Sequence, residues 1–388
     1  MDINLFKLII GDYNNPNVKD FVPDFAYSPL NIIGKLYYPV VDEYWLNKGG
    51  FKPIWPNNKP YAVCITHDID HVSRYNILQN FKTITKAVKT MTRGRMKKNL
   101  SMGVDSFLNV FCGLTKSSDP YSNLDLIYNV EKRSNIRSTL FFPPEKVEKR
   151  HYSDCVYRFR DKITFYDKKI CIEEIVKIFK RDGFEIGLHS QWYALDSIDD
   201  FLKEKTQLEN LLNENILSHR AHFLRFDNKR SPEIYKRAGI LYDSTLGFND
   251  NIGFRRGTSY PFYLYDINNN NKKLDVLEIP LIIQDSAMFV KTKGMRIERE
   301  MALRYIYEIK ERVKNTGGVL TVLWHPHEMR NEEYYLTFMD MIKMLKEDDP
   351  WFGTMSEIGE WWKKEVKIDL VEFLRDNFDG GRINEGKE

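Results

Sequence analysis

The alternation of strand-like and helix-like segments constrains the fold of this chain more than any other feature. From residue 60 onward, short apolar runs alternate with segments whose apolar residues recur at helical spacing. The segment 171–183, for example, has helical spacing and ends in Gly183, and the strand-like run 184–190 follows it directly. Such alternation predicts parallel βαβ units whose helices cover the sheet. About seven units are present, so the sequence predicts an α/β protein, a distorted (β/α) barrel of about seven parallel strands.

The predicted barrel does not account for the whole chain of 388 residues. We expect it to span residues 59–365, with a helical insertion after the first strand at 72–124. Residues 1–58, rich in Asn, Pro and Tyr, are a predicted N-terminal extension, and residues 366–388 are a predicted C-terminal tail. No GxGxxG or GxxxxGK[ST] motif follows a predicted strand, which argues against the two common nucleotide-binding sites.

Charge and cysteine content exclude several classes of protein. The 58 Lys and Arg nearly balance the 55 Asp and Glu, whereas a dedicated nucleic-acid binder would be far more basic. The four cysteines show no CxxC spacing, which argues against a disulfide framework or a zinc knuckle. The first residues, MDINLFKLII, lack the pattern of a secretion signal. These observations predict a cytoplasmic protein with no nucleic-acid partner.

Polar residues gather where the predicted strands end. In barrels and open α/β sheets, the carboxyl ends of the strands carry the active site. Residues two apart on a strand project to the same face, so Asp68 and Asp70 project together, as do Arg220 and His222. One carboxylate of the first pair could hold a metal while the other deprotonates a water. The polar strand-end residues are Asp68, Asp70, His189, Arg220, His222, Asp243, Ser244 and His325.

These residues lie in motifs that, in their order, resemble a known family. The motifs are STLFF at 138–142 and, for the site, THDID at 66–70, HS at 189–190, RAHF at 220–223, YDST at 242–245 and LWHP at 323–326. Over about residues 60–362 the chain resembles the polysaccharide deacetylases of carbohydrate esterase family 4, those with the NodB homology region. The resemblance implies a polysaccharide deacetylase-like (β/α) barrel that uses a divalent metal, which we expect to be zinc, to remove acetyl groups from sugars.

The resemblance also implies catalytic roles for four residues. Asp68 matches the catalytic base, and Arg220 matches the arginine that tethers the base. His325 matches the general acid, and Asp243 matches the acidic residue that orients this histidine.

Binding roles follow from the same motifs. Asp70 and His189 match metal ligands. Leu323 matches the apolar contact for the acetyl methyl group, and Phe223 matches the position whose backbone N–H helps hold the oxyanion.

The chain departs from the family at the third metal ligand. The family has a second histidine four residues after the first, but that position here is Tyr193. A catalytic zinc site usually has three protein ligands. His222 shares the face of Arg220 and is the candidate replacement, either as a ligand or as a substrate contact. Tyr193 would then be a pocket residue that contacts substrate.

Two further segments carry hypotheses of their own. Residues 77–98 form a basic amphipathic pattern that could contact an anionic membrane surface or pack over a neighbouring element. The segment 253–262 could form a substrate-facing loop in which Arg255 binds an anionic or sugar ligand.

The sequence therefore predicts a metal-dependent hydrolase that deacetylates an N-acetylated sugar in a glycan or its lipid-linked precursor. Two alternatives stay open. The same fold could hydrolyse a non-sugar amide, because sites rather than folds decide function. The protein could also bind glycans without catalysis. Individually, each motif also has a structural reading, such as a capped strand end for 66–70, a core histidine for His189 or a turn for 242–245.

Overall fold

The structure is a computed structural model of the chain. It describes residues 3–13, 27–75, 80–81, 84–85, 96–114, 119–151, 154–290, 294–377 and 382–383. Most of segment 77–98, for which membrane contact is a prediction, lies outside the described residues. None of the described helices combines the length and apolar character that spanning a bilayer requires.

The described strands are numbered in chain order. They are β1 (Ile3–Asn4), β2 (Ala62–Asp68), β3 (Thr139–Phe142), β4 (Lys162–Phe165), β5 (Lys168–Cys171), β6 (Glu185–Ser190), β7 (Ser218–Ala221), β8 (Tyr242–Asp243), β9 (Phe262–Asp266), β10 (Lys272–Glu278), β11 (Ile283–Gln284), β12 (Val319–Leu323), β13 (Trp351–Phe352) and β14 (Arg382–Ile383).

Helices alternate with these strands along most of the chain. The α-helices are Leu5–Ile10, Val40–Asn47, Met96–Leu114, Leu124–Ser134, Ile172–Arg181, Ile198–Leu212, Ser231–Arg237, Asp285–Phe289, Arg299–Thr316, Glu332–Glu347, Met355–Trp361 and Leu370–Asp376. Short 3-10 turns occupy Pro29–Asn31, Pro56–Asn58, Trp192–Asp196, His222–Leu224 and Pro326–Glu328, and one π-helical turn occupies Trp362–Val366.

One sheet organises the molecule, with strand order β11-β12-β2-β3-β6-β7-β8-β10-β9. Neighbours from β11 to β10 are parallel, and β9 pairs antiparallel with β10. Strand β13 also pairs parallel with β2. The sheet curls into a half-barrel, which confirms the predicted α/β class and the distorted barrel.

Burial on both faces explains the continuous apolar runs of the strands. All seven residues of β2 are buried, as expected for a parallel strand covered on both sides. The helix Ile172–Arg181 buries Ile172, Ile175, Val176 and Phe179, which form one face at helical spacing. Sheet and helices thereby form an apolar interior of two large clusters that meet at β2, and the polar strand ends are left to form a site.

A glycine in β6 lets two strands of this interior approach closely. A Cβ atom on Gly187 would lie 2.6 Å from the ring of Phe141 and 2.9 Å from the carbonyl oxygen of Ser218. No real Cβ makes contacts that short, so glycine is required where β6 passes between β3 and β7. The position of His189, two residues later, depends on this packing.

Segments from both ends of the chain pack on the barrel. Asp42 accepts hydrogen bonds from the backbone N–H (2.8 Å) and the hydroxyl (2.6 Å) of Ser259. Trp55 donates from Nε1 to the carbonyl of Gly317 at 2.8 Å. Near the other end, the helix Leu370–Asp376 buries Leu370, and β14 pairs with β1. The boundaries at residues 58 and 365 remain predictions.

Candidate active site

A small cleft opens at the carboxyl ends of β2, β6, β7 and β12. Its volume is about 180 Å³. The cleft brings together most of the residues singled out from the sequence. Its lining includes Asp68, Asp70, His189, His222, Phe223, Leu323 and His325.

Arg220 holds Asp68 at one side of the cleft. Its Nη1 donates to Asp68 Oδ1 at 3.1 Å and to the hydroxyl of Thr66 at 2.7 Å. The rest of the guanidinium donates to Ser244, from Nε to the carbonyl at 2.7 Å and from Nη2 to the hydroxyl at 2.8 Å. Arg220 is completely buried, so this charge is fixed and compensated by Asp68. The predicted contact between Arg220 and Asp68 is therefore present in the structure.

Asp70 lies at the centre of a cluster of imidazoles. Its Oδ1 is 3.1 Å from His189 Nε2 and 3.7 Å from His222 Nδ1, and its Oδ2 is 3.6 Å from His325 Nε2. Burial alone would raise the pKa of Asp70, but the imidazoles of His222 and His189 hold it well below its usual range. Asp70 is therefore an anion that can act as a ligand.

The two candidate histidine ligands direct ring nitrogens at this carboxylate. His189 Nδ1 lies 2.9 Å from the carbonyl of Arg220, and a carbonyl can only accept, so Nδ1 carries a proton. Burial opposes charge on the His189 imidazole, but the carboxylates of Asp68 and Asp70 outweigh it and raise the pKa of His189. Burial favours the neutral imidazole of His222 and lowers its pKa to about 4. Once His189 Nε2 gives up its proton on metal binding, two imidazoles and one carboxylate would form a donor set that suits a catalytic zinc ion. The residues thus fit the metal that the resemblance implies.

His222 reaches this cluster by a turn rather than along a strand. Strand β7 ends at Ala221, and His222 begins the 3-10 turn His222–Leu224. Phe223 and Leu224 both have positive φ, 59° and 53°, a conformation that costs a non-glycine residue about 1–3 kcal/mol. Strained backbone of this kind is concentrated at functional sites, and here it brings the His222 ring next to Asp70.

The general-acid candidate His325 is oriented by a carboxylate that the sequence did not identify. Asp285, just after β11, accepts from His325 Nδ1 at 2.6 Å and from its backbone N–H at 2.7 Å. Burial opposes charge on the imidazole, but the Asp285 carboxylate outweighs it and raises the pKa of His325 to about 10. His325 is therefore protonated near neutral pH, with Nε2 directed at the cleft and Nδ1 bound to Asp285.

The prediction that Asp243 orients His325 is corrected by this geometry. Asp243 Oδ1 instead lies 2.7 Å from His219 Nδ1 and accepts from the Thr245 hydroxyl at 2.8 Å. His219 is paired with Asp243 across β7 and β8, and it faces away from its neighbour Arg220. Asp243 consequently lies on the opposite side of the sheet from the cleft. The run that ends in Asp285 is also strand-like, so the strand-end rule applied to it could have found the true partner.

The remaining two predicted substrate contacts are also corrected. Among the described residues, the lining of the cleft includes neither Tyr193 nor Arg255. Tyr193 lies in the turn Trp192–Asp196 and lines a separate cleft. The Lys149 Nζ lies over its ring, 3.9 Å from the ring centroid. Arg255 is buried, and its Nη1 donates to the carbonyl of Gly247 at 2.9 Å. Its guanidinium therefore supports a loop inside the fold.

Leu323 and Phe223 do line the cleft. Leu323 is buried in a small apolar cluster with Leu224 and Leu281. The Phe223 ring is 39% exposed at the rim. The cleft thus has an apolar wall beside its charged groups.

Cys155 is a second residue of the site that sequence analysis does not identify. Its Sγ lies 3.4 Å from His222 Nδ1 and 3.7 Å from Asp70 Oδ1. Burial and then the Asp70 carboxylate raise the pKa of this thiol well above its usual value. A single cysteine on a loop, without a partner at ligand spacing, carries no sequence signal for such a position.

Comparisons with known proteins bear on the fold. No family model matches the chain, and no curated protein sequence matches it. Among solved structures, a Mycobacterium smegmatis protein assigned to the polysaccharide deacetylases aligns with 82% of this chain and 95% of its own, at 17% identity and a TM-score of 0.51. A Pseudomonas aeruginosa PAO1 protein with the same assignment aligns with 82% of this chain and 96% of its own, at 14% identity and a TM-score of 0.51.

A structure of the Puue allantoinase is similar to the same degree. It aligns with 82% of this chain and 95% of its own, at 14% identity and a TM-score of 0.51. The chain therefore has a fold found both in structures assigned to the polysaccharide deacetylases and in an allantoinase.

Proposed function

We propose that this protein is a metal-dependent hydrolase that removes the acetyl group from an N-acetylated sugar in a glycan or a glycan precursor. The observation that carries the proposal is one cleft that combines a tethered carboxylate, a metal-type donor set and a histidine acid. The fold shared with polysaccharide deacetylases supports the same reaction class.

Asp70, His189 and His222 would hold the metal, and their donor types favour zinc. When bound, a divalent metal would polarise the acetyl carbonyl and make the attacking water more acidic. The side chains around the donor set would carry the proton transfers.

Asp68 is the proposed base. Arg220 occupies its Oδ1, while Oδ2 lies 3.8 Å from His189 Nε2, on the side of the metal donors. Asp68 would take a proton from the water as the water oxygen bonds to the acetyl carbon. The hydrogen bond from Arg220 fixes the orientation of the Asp68 carboxylate for this transfer.

His325 is the proposed acid. Asp285 binds its Nδ1–H, which leaves the Nε2 proton for the nitrogen of the leaving amine. The C–N bond breaks as this proton is transferred, and the products are acetate and a free amino sugar. The acetyl methyl group would contact Leu323, and the backbone N–H of Phe223 would contribute to oxyanion stabilisation.

Acetate release from N-acetylhexosamine oligosaccharides tests the proposal. We expect the metal-loaded protein to release acetate and Asp68→Asn to lose about 10²-fold or more of this activity, as is typical when a general base is lost. Asp167→Asn is a matched control, because Asp167 is exposed and has a positive φ (61°) that asparagine tolerates. Equal activity of the wild type and Asp68→Asn would contradict the proposal.

A non-sugar amide is the second candidate substrate. The similarity to the allantoinase, as close by TM-score as that to the deacetylases, favours keeping it. The two candidates are separated by offering N-acetylated oligosaccharides and cyclic ureides to the same preparation. A glycan-binding protein without catalysis is less consistent with a cleft that holds both a tethered base and an oriented acid.

We also propose a cytoplasmic location. None of the four cysteines, all of which are described, forms a disulfide, and this is consistent with a reducing compartment.

A further inference from the structure

The Cys155 thiol is part of the proposed metal-donor cluster. The ligand atoms of Asp70, Cys155 and His222 all lie within 4.8 Å of one another. The individual separations are 3.4 Å from Sγ to His222 Nδ1, 3.7 Å from Sγ to Asp70 Oδ1, and 3.7 Å from His222 Nδ1 to Asp70 Oδ1. These three atoms form a nearly equilateral triangle of one sulfur, one nitrogen and one oxygen.

The size of this triangle matches a tetrahedral metal site. Zinc binds nitrogen or oxygen at about 2.0–2.1 Å and sulfur at about 2.3 Å, so two of its ligand atoms at the tetrahedral angle are about 3.3–3.6 Å apart. The observed edges of 3.4–3.7 Å are close to these values. His189 Nε2 lies 3.1 Å from the same Asp70 oxygen, so a fourth candidate donor atom lies beside this triangle.

Hydrogen bonds hold the thiol in this position. The backbone N–H of Cys155 donates to Gln191 Oε1 at 3.0 Å, and its carbonyl accepts from Arg150 Nη1 at 2.7 Å. The preceding Asp154 accepts from the backbone N–H of Trp192 at 3.0 Å. The loop is therefore fastened to the residues that directly follow β6, the strand that carries His189. Cys155 and His189 are positioned as one unit.

A space-filling role explains these contacts less well. A buried cysteine that only packs behaves as a small apolar side chain. Here the sulfur instead approaches a carboxylate oxygen and an imidazole nitrogen, the two other donor types that zinc prefers.

We propose that Cys155 is a direct ligand of the metal, together with Asp70, His222 and His189. This proposal rests on the metal dependence in the proposed function. On binding, the S–H bond is exchanged for a sulfur–metal bond and the proton passes to solvent, with no change in oxidation state. The sulfur and imidazole donors favour zinc over magnesium or manganese. Four protein donors would fill a tetrahedral zinc site, so catalysis would require a fifth coordination position or the displacement of one donor.

Cobalt spectroscopy of the full-length, chelator-stripped protein tests this proposal. The visible d–d bands of Co²⁺ report binding, and a near-ultraviolet sulfur-to-cobalt charge-transfer band reports a thiolate ligand. We expect both in the wild type. Cys155→Ser should lose the charge-transfer band. It should also bind Co²⁺ about 10- to 100-fold more weakly, because the loss of a residue that merely hydrogen-bonds a metal ligand already weakens metal affinity by about that factor. Cys171→Ser, which changes a half-buried cysteine on β5, should keep the band.

X-ray absorption of the zinc-loaded wild type provides a measurement that needs no variant. We expect one sulfur neighbour at about 2.3 Å from zinc. Metal binding without a sulfur ligand by either method would overturn the role of Cys155 and leave the metal dependence standing. If the wild type binds neither Co²⁺ nor Zn²⁺, both the Cys155 proposal and the metal dependence are wrong. Loss of the band in Cys171→Ser, but not in Cys155→Ser, would also overturn the assignment.

Discussion

Replacing Asp285 by asparagine should selectively impair the cleavage of amides. The Asp285 carboxylate contacts His325 twice, at 2.6 Å to Nδ1 and 2.7 Å to the backbone N–H, and it is completely buried. Asparagine nearly preserves its shape but removes the negative charge. His325 would then lose the main interaction that keeps it protonated and directs its Nε2–H at the leaving group.

The pKa of His325 indicates how strongly its carboxylate neighbours stabilise the imidazolium. The shift from 6.5 to about 10 corresponds to roughly 5 kcal/mol that favours the imidazolium, at about 1.4 kcal/mol per pKa unit. Asp285 is the largest favourable contributor, and Asp70 and Asp68 supply the rest. Loss of general acid–base assistance typically costs about 10²-fold or more, so we expect kcat/KM for an N-acetyl sugar to fall about 100-fold.

The assay compares two substrates. The leaving group of an amide is an amine, which must be protonated as the C–N bond breaks. The leaving group of an activated acetyl ester is a stable anion that needs no proton. Asp285→Asn should therefore reduce amide cleavage about 100-fold more than ester cleavage. The ratio of the two activities does not depend on the fraction of folded protein, so partial unfolding of the variant cannot imitate this result.

Asp243→Asn is the matched control, because Asp243 is equally buried and also bonds a histidine. We expect it to leave the amide-to-ester ratio unchanged. The reasoning is refuted if Asp285→Asn lowers both activities equally, or if Asp243→Asn changes the ratio more than Asp285→Asn does.

Three further predictions concern the metal donors and a buried acid. Asp70→Asn should lose the bound metal while Asp68→Asn retains it, measured by elemental analysis of the purified variants; equal loss in both would contradict their separate roles. His222→Ala should release metal as completely as His189→Ala, and a variant that keeps full occupancy would show that His222 is not a ligand. Burial raises the pKa of Glu204 to about 8, so the folded protein binds a proton that the unfolded chain releases above its ordinary pKa of 4.5. The free energy of unfolding should fall as pH rises from about 4.5 to 8, by roughly 4 kcal/mol relative to Glu204→Gln; parallel pH profiles in chemical denaturation would refute this.

The architecture and the location of the site could be predicted from the sequence because both depend on local, repeated patterns. Strand–helix alternation implies a parallel sheet, and a parallel sheet brings all its carboxyl strand ends to one edge. Asp68, Asp70, His189 and His325 therefore had to lie near one another, whatever the details of packing. Their arrangement in the cleft agrees with this expectation.

Partner choice between these residues depended on tertiary structure. Asp243 is the last residue of β8 and Asp285 directly follows β11, but the register of β8 against β7 pairs Asp243 with His219, on the side away from the cleft. Only Asp285, next to β12, reaches His325. A shift of one residue reverses the face of a side chain, so this choice required the register of the folded sheet.

The contacts of residues outside the strands were the least predictable, because a loop lacks the regular repeat that fixes the directions of side chains in a strand. Arg255 was expected at the substrate and is buried in the fold, while Tyr193 is turned into a neighbouring cleft. Cys155 lies about 85 residues after Asp70 in the chain, yet loop hydrogen bonds bring its sulfur within 3.7 Å of the Asp70 carboxylate. The sequence alone determined which edge of the sheet carries the chemistry, and the folded loops decided which side chains complete it, since only long-range contacts specify their directions.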